Sequence, residues 1–268
     1  MLNKITSADV SRISCLIIGK SGIGKTSLIK TIVGQKFDNK NNKFIGEYNQ
    51  ENVYVLSAES GLLAIENLIH DNIITAYEIN NISDLMEAYK LLSSTDFINN
   101  ITKNGSNWIF IDSLTEIADL CETHLTEKYK DKQDNWGLWK DYANIMMNII
   151  KKFRSLTQYN IVFSCLESID KDQDNRRYAS AEIGGNKLPK RLGALFDELF
   201  YMVSSPDDKG NNQIIFKTNP SQFHPAKDRS GKLNNIEEPN LLDIKNKIVQ
   251  KNDDIKLIID GEIYQEKQ

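Results

Sequence analysis

Ser14-Cys15-Leu16-Ile17-Ile18-Gly19-Lys20-Ser21-Gly22-Ile23-Gly24-Lys25-Thr26-Ser27 runs from an apolar segment through a glycine-rich turn into a second apolar-periodic stretch, Leu28 to Val33. Strand, GxxxxGK[ST] loop, helix is the order in which a phosphate-binding loop works. The residue types follow from the chemistry. Successive backbone N–H groups must curl around a β-phosphate, and Gly19, Gly22 and Gly24 permit turn geometries that a β-carbon disfavours. Lys25 has the reach to touch the β- and γ-phosphates, and the hydroxyl of Thr26 suits Mg²⁺. The expected ATP contacts are therefore Gly19, Lys20, Ser21, Gly22, Ile23, Gly24, Lys25, Thr26 and Ser27, with ATP and Mg²⁺ as cofactors.

Composition sets the frame around that loop. A chain of 268 residues with 40% hydrophobic and 26% charged side chains can bury a sizeable core as one large α/β domain or two small ones. No apolar run approaches the roughly 18 residues of a membrane helix, and no signal-peptide pattern opens the sequence. Cys15, Cys121 and Cys165 stand apart inside apolar segments, which suits three core thiols in a reducing cytoplasm, without a disulfide or zinc framework. A net charge of −4 gives no global attraction to nucleic acid, so a DNA-binding surface has to be a local patch.

Beyond the loop, strands alternate with helices, which predicts a parallel sheet covered on both faces. Gly34 to Gln50 reads as an exposed connection. Val53–Leu56 and Ile73–Ile79 read as strands, and Ser83 as the cap of a helix reaching Leu92. Trp108-Ile109-Phe110-Ile111-Asp112 is an apolar strand closed by a carboxylate. That is the Walker B pattern, with Asp112 holding Mg²⁺ through water beside Thr26; an N-cap for the next helix is the plainer alternative. A helix with Leu114, Ile117, Ala118, Cys121 and Leu125 on one face follows. A longer helix after it carries Trp139, Tyr142, Met146, Ile149 and Phe153 along a stripe that reads as core.

Ser113 occupies the place where many P-loop ATPases carry a catalytic Glu. A water-activating carboxylate must come from another strand end, and Glu59 is the candidate, with Glu116 its rival. Glu167, closing the strand Ile161–Leu166, is the candidate sensor of the γ-phosphate, and with Glu59 and Lys25 makes up the expected catalytic set. The polar stretch 169–187 reads as a long mobile loop. With the segment after it, it gathers Lys171, Arg176, Arg177, Lys187, Lys190 and Arg191 around Tyr178, a composition suited to single-stranded nucleic acid. A solvated loop diluted by Asp170, Asp172, Asp174 and Glu182 is the competing reading. Glu198–Val203 and Gln213–Thr218 form an antiparallel pair. Lys227 and Arg229 then sit in Ala226–Lys232, either as surface cations or as cations reaching into a neighbouring subunit's nucleotide site. Residues 1–235 are expected to form the ATPase domain and 236–268 an extension with a short helix and a tail, not an independent domain.

In this order the GKT loop, Ala58-Glu59, Asp112-Ser113 and Gly184-Gly185-Asn186 resemble the ATPase core of RecA-type recombinases. With Trp136-Gly137-x-Trp139, Phe163…Glu167 and Ala226–Gly231, the chain is similar to phage-encoded nucleotide-binding AAA-domain proteins, among them RecA-like single-strand-annealing ATPases. The likeness spans roughly residues 12–240. It implies a RecA-like α/β core whose mostly parallel sheet is flanked by helices and extended by antiparallel strands towards the C-terminus. It also implies ATP and Mg²⁺, and a homo-oligomer with nucleotide between subunits. Single-stranded DNA is the implied partner, with a phage single-strand-binding protein as a possible further one; no membrane is involved. Glu59 matches that family's water-activating Glu, Glu167 its sensing position (Gln in RecA proteins), and 169–187 its DNA loop. Lys227 and Arg229 match its trans-acting cations. No segment here resembles the recombinases' polymerisation and DNA-gathering domains, so annealing is expected in place of strand exchange. A small-molecule P-loop kinase or NTPase and an ATP-switched binding module with little hydrolysis are the alternative functions.

Overall fold

β1, Ser14–Gly19, is buried at all 6 positions, as befits a central strand covered on both faces. The computed structural model describes residues 12–39, 41, 43–59, 61–101, 105–132, 134–171, 175–185, 188–207, 209–250, 258–259 and 262–263. Side chains of β1 divide by parity: Leu16 and Ile18 enter one core, Cys15 and Ile17 the other, as a two-residue period requires. A 3-10 turn, Thr26–Leu28, leads into the short helix α1, Ile29–Ile32. The stretch expected as a plain exposed connection instead carries a small hairpin, β2 (Lys36–Asp38) against β3 (Lys43–Ile45). Phe37 and Phe44 lie directly opposite and meet edge to face at 5.2 Å, which holds the short ribbon together.

The alternating portion comprises β4 (Asn52–Ser57), α2 (Glu66–His70), β5 (Thr75–Glu78), α3 (Ile82–Ser93), α4 (Thr95–Asn100), β6 (Asn107–Asp112), α5 (Leu114–Tyr129), α6 (Asn135–Arg154) and β7 (Asn160–Lys171). Asn81, not Ser83, caps α3, because its side chain is the one positioned to accept from the Asp84 amide. After β7 come β8 (Arg177–Ala181), α7 (Leu188–Leu195), β9 (Glu198–Pro206), β10 (Asn212–Lys217), β11 (Lys227–Asp228), β12 (Ile236–Glu237) and α8 (Leu241–Val249).

The strand order is β12-β10-β9-β1-β7-β6-β4-β5. Pairing is parallel from β9 through β5 and antiparallel where β10 and β12 extend the sheet. This mixed sheet with helices on both faces is a RecA-like P-loop α/β fold. One face is covered by α3, α5, α6 and α7, packed on Leu16, Ile109, Ile111 and Phe163. The other is covered by α1, α2 and α8, packed on Ile17, Val55, Phe110 and Phe200. The amide of Leu241 donates to Thr31 Oγ1 at 3.0 Å, fastening α8 against α1. Cys15, Cys121 and Cys165 are buried free thiols. Among the described residues no helix is long and apolar enough to cross a membrane.

Register fixes where chemistry can gather. Gly19 stands opposite Leu166, and Ser57 opposite Asp112, so the loop after β1 and the ends of β4, β6 and the core part of β7 share one edge. Cys15 stands opposite Glu198, and β11 pairs with Leu199 and Glu198 at the other edge.

Candidate nucleotide site

A β-carbon on Gly19 would lie 2.7 Å from the Met202 carbonyl oxygen of β9. Close strand approach, more than turn geometry, therefore demands glycine there. Gly22 (φ 73) and Gly24 (φ 102) do occupy the left-handed region, as a nest of curling amides requires. Lys25 is 7% exposed, and its Nζ donates to the Gly19 carbonyl at 2.9 Å and the Lys20 carbonyl at 2.8 Å. Burial lowers the pKa of this ammonium, opposed by the charges of Asp112, Glu59, Cys165 and Glu167. Three carboxylates, after β4, at the end of β6 and within β7, thus lie within electrostatic reach of one lysine.

Asp112 closes β6 at 2% exposure. Thr26 Oγ1 donates to its Oδ2 at 2.6 Å, and Ser164 Oγ donates to its Oδ1. Burial pushes the carboxyl upward, while the hydroxyl donors Ser164 and Thr26 pull it back. Ser113 is the N-cap of α5, accepting from the Glu116 amide at 3.3 Å. Asp112 is thereby free of the capping role and turns both oxygens towards the loop and β7. The Asp112–Ser113 peptide is cis. The Ala58 amide donates to the Asp112 carbonyl at 2.7 Å, which brings the following Glu59 to the same edge. Glu116 is raised by burial first, then by Asp119, Glu59 and Glu182, so both water-activation candidates lie within electrostatic reach of each other. The oxygens of Thr26 and Asp112 are hard donors of the kind Mg²⁺ takes. Among the described residues no group of three or more His, Cys, Asp or Glu could hold a metal alone; a cation here would need phosphate oxygens as further ligands.

Residues 11–230 match the AAA domain family. The chain belongs to that family. Its fold is accordingly that of a nucleotide-binding ATPase, a class that handles ATP and usually Mg²⁺. No curated protein matches the chain.

In this AAA-domain protein Glu167 follows Leu166 directly and receives a 2.6 Å hydrogen bond from Tyr201 Oη. The Tyr201 ring stacks on His224 at 4.8 Å. Past Glu167 the expected long loop is replaced by an antiparallel ribbon: β7 continues to Lys171 and pairs with β8 from Glu167↔Ala181 to Lys171↔Arg177. Ala179 and Ala181 are buried and alternate with half-buried Tyr178 and Ser180, a period-two pattern that the polar composition hides. Ser180 Oγ donates to Asp170 at 2.9 Å across the ribbon. Lys171, Arg176 and Arg177 are exposed near its far end. Tyr178 lines a cavity of about 680 Å³ with Lys171, Pro189 and Leu192, and Arg191 lines a separate one. Lys187 lies outside the described residues, as does the side chain of Lys190.

Lys227 and Arg229 stand at the opposite edge of the sheet from the chain's own loop. Lys227 Nζ donates to the carbonyls of Gly193 (2.8 Å) and Phe196 (2.7 Å), and Arg229 pairs with Asp197 at 2.5 Å. Burial lowers the pKa of Lys227. Trp139, expected in the core stripe of α6, is 40% exposed, while Tyr142, Met146, Ile149 and Phe153 are buried as expected. Sequence reasoning missed Ser164 and Tyr201. The signal for Ser164 was present: it is the hydroxyl in the run Ile161-Val162-Phe163-Ser164-Cys165-Leu166, one position past the pairing of Phe163 with Ile111. Tyr201 had none, since its pairing with Glu167 depends on β1 lying between β9 and β7.

Proposed function

We propose that this chain is a Mg²⁺-dependent RecA-like ATPase that binds single-stranded DNA and promotes annealing of complementary strands in phage recombination or replication. The observation that carries its ATPase part is geometric: the loop after β1, Asp112 with its bond from Thr26, and the Ala58–Glu59 turn bonded to the Asp112 carbonyl share one sheet edge. In this reading the amides of residues 19–27 cradle the phosphates and Lys25 moves from the loop carbonyls to the β- and γ-phosphates. Thr26 and, through water, Asp112 would hold Mg²⁺, which would supply charge neutralisation at the phosphates. Glu59 orients the attacking water and takes its proton, and Glu167 reads whether the γ-phosphate is present.

Support for a DNA partner comes from the ribbon that leaves Glu167 and carries Lys171, Arg176 and Arg177 at its exposed end. A trans role would fall to half-exposed Arg229, which stands at the far edge from its own loop and could act only on a neighbouring copy, while Lys227 is held by the Gly193 and Phe196 carbonyls. ATP hydrolysis measured with and without single-stranded DNA, at low and moderate salt, tests the reading. Stimulation that fades with salt is expected. Hydrolysis indifferent to DNA would instead indicate a small-molecule NTPase. Glu59→Gln is expected to lower turnover by about 10²–10⁴-fold with ATP binding retained; surviving turnover would remove Glu59 from its role.

A further inference from the structure

The first turns of α6 place two indoles where burial would ordinarily be expected. Trp136 is 76% exposed and Trp139 is 40% exposed, and together they form an aromatic surface of the kind that marks a binding site. They line a cavity of about 690 Å³, within the usual size of a ligand cleft. Its floor is built by close approach. A β-carbon on Gly184 would sit 3.0 Å from the Trp139 ring and 3.1 Å from Tyr142 Oη, and the Gly184 amide donates to that oxygen at 2.9 Å.

The charged side chains that line the cavity have one sign, with Asp134 turned instead to the Gly137 amide as the cap of α6. Lys140 lies over the Trp136 ring at 5.2 Å from its centroid, and Arg191 lines the other wall. No carboxylate lines the cavity among the described residues. Gly185 forms part of its wall and also of the wall of the cavity that holds Lys171 and Tyr178 beneath the β7–β8 ribbon. The aromatic cleft and the basic ribbon are therefore adjacent parts of one surface. An apolar protein segment would satisfy the indoles but would leave Lys140 and Arg191 facing it from a lining that, among the described residues, holds no carboxylate. A flexible polyanion carrying flat π-faces satisfies both.

We infer that the Trp136–Trp139 cleft is a stacking site for unpaired bases of single-stranded nucleic acid, with Lys140 and Arg191 on its phosphates. The inference rests on the single-strand reading above but assigns the bases to residues outside the ribbon.

The protein carries its own probe. Of its 3 tryptophans, Trp108 is fully buried, so an emission change on adding a dT oligonucleotide reports on Trp136 and Trp139. Quenching by dT that weakens with salt is expected. Trp136→Ala and the double variant Trp136→Ala/Trp139→Ala are expected to weaken dT binding by about tenfold or more, measured with a labelled oligonucleotide, while hydrolysis without DNA is unchanged. An abasic oligomer of equal length is expected to bind native protein as weakly as dT binds the double variant. The single variant, at a largely exposed position, guards against misfolding. Unchanged dT affinity in both variants overturns the inference, and does so without touching the ribbon if Arg177→Ala still weakens binding. Native protein that does not bind dT overturns both readings. Self-association lost in Trp136→Ala with dT affinity intact assigns the cleft to a second copy and overturns it equally.

Discussion

The two edges of the sheet use nearly the same parts. At each, a lysine ammonium donates to two backbone carbonyls: Lys25 to Gly19 and Lys20, Lys227 to Gly193 and Phe196. Each lysine has a buried carboxylate nearby, Asp112 at one edge and Glu198 at the other. The surroundings separate them. Asp112 is met by two hydroxyl donors and no second carboxylate bonds to it. Glu198 is pushed up to about 8 by burial, with Asp228 beside it adding to the rise, and one of its oxygens has no partner. Lys25 leans on a loop whose carbonyls it can leave. Lys227 sits at the C-terminal end of α7, where a cation complements the helix's unpaired carbonyls. One edge is arranged to accept charge from outside; the other is arranged to hold itself together.

Lys25→Ala separates the edges most sharply. It is expected to cost at least about 100-fold in turnover, with thermal unfolding little changed; retained turnover would sink the phosphate-loop assignment. Lys227→Ala should do the reverse in stability, leaving two carbonyls without their charged donor and costing about 1.5–3 kcal/mol in a denaturant titration. If it leaves stability intact, Lys227 is free for a trans role and the contrast fails. The pH response sharpens the comparison further. Glu198 has a folded pKa above its ordinary 4.5, so the folded chain keeps a proton that the unfolded chain has released. Stability from this group is present at low pH and is lost as pH rises between about 4.5 and 8. Unfolding midpoints taken across that window should fall, and Glu198→Gln should flatten the fall; an unaltered slope would place the titration elsewhere. Arg229→Ala is the smallest in stability, under about 1 kcal/mol for a half-exposed ion pair. Mixed with Lys25→Ala subunits it should regain hydrolysis if sites are shared between copies, and regain none if each copy acts alone.

What the sequence made legible follows the strength of local constraint. The loop, the buried strands and Asp112 could be read because each rests on a run of apolar residues ending in a residue type that chemistry requires there. The β7–β8 ribbon could not, because Asp170, Ser180 and Arg177 give it the composition of a loop; Ala179 and Ala181 carry its buried period without bulk. Trp139 falls on the apolar stripe of α6 by spacing alone, and only the length of that helix past the core leaves its first turns uncovered. Lys227 and Arg229 read as mobile cations in a linear chain. Their hydrogen bonds come from residues 193–197, which the antiparallel return of the chain brings beside them.

The continuity of β7 makes it a lever. Its 12 residues extend about 40 Å at roughly 3.3 Å each; β6 pairs with it as far as Phe163 and β1 as far as Leu166, and from Glu167 onward it pairs with β8. Leu166 is the last position gripped by β1, so it acts as the fulcrum, and Glu167 stands one residue beyond it. From the fulcrum to Lys171 the arm is about 17 Å by the same rise. A tilt of a few degrees at the fulcrum moves the basic end by about 1 Å, carrying the cations as a stiff unit with no need for any segment to order or melt.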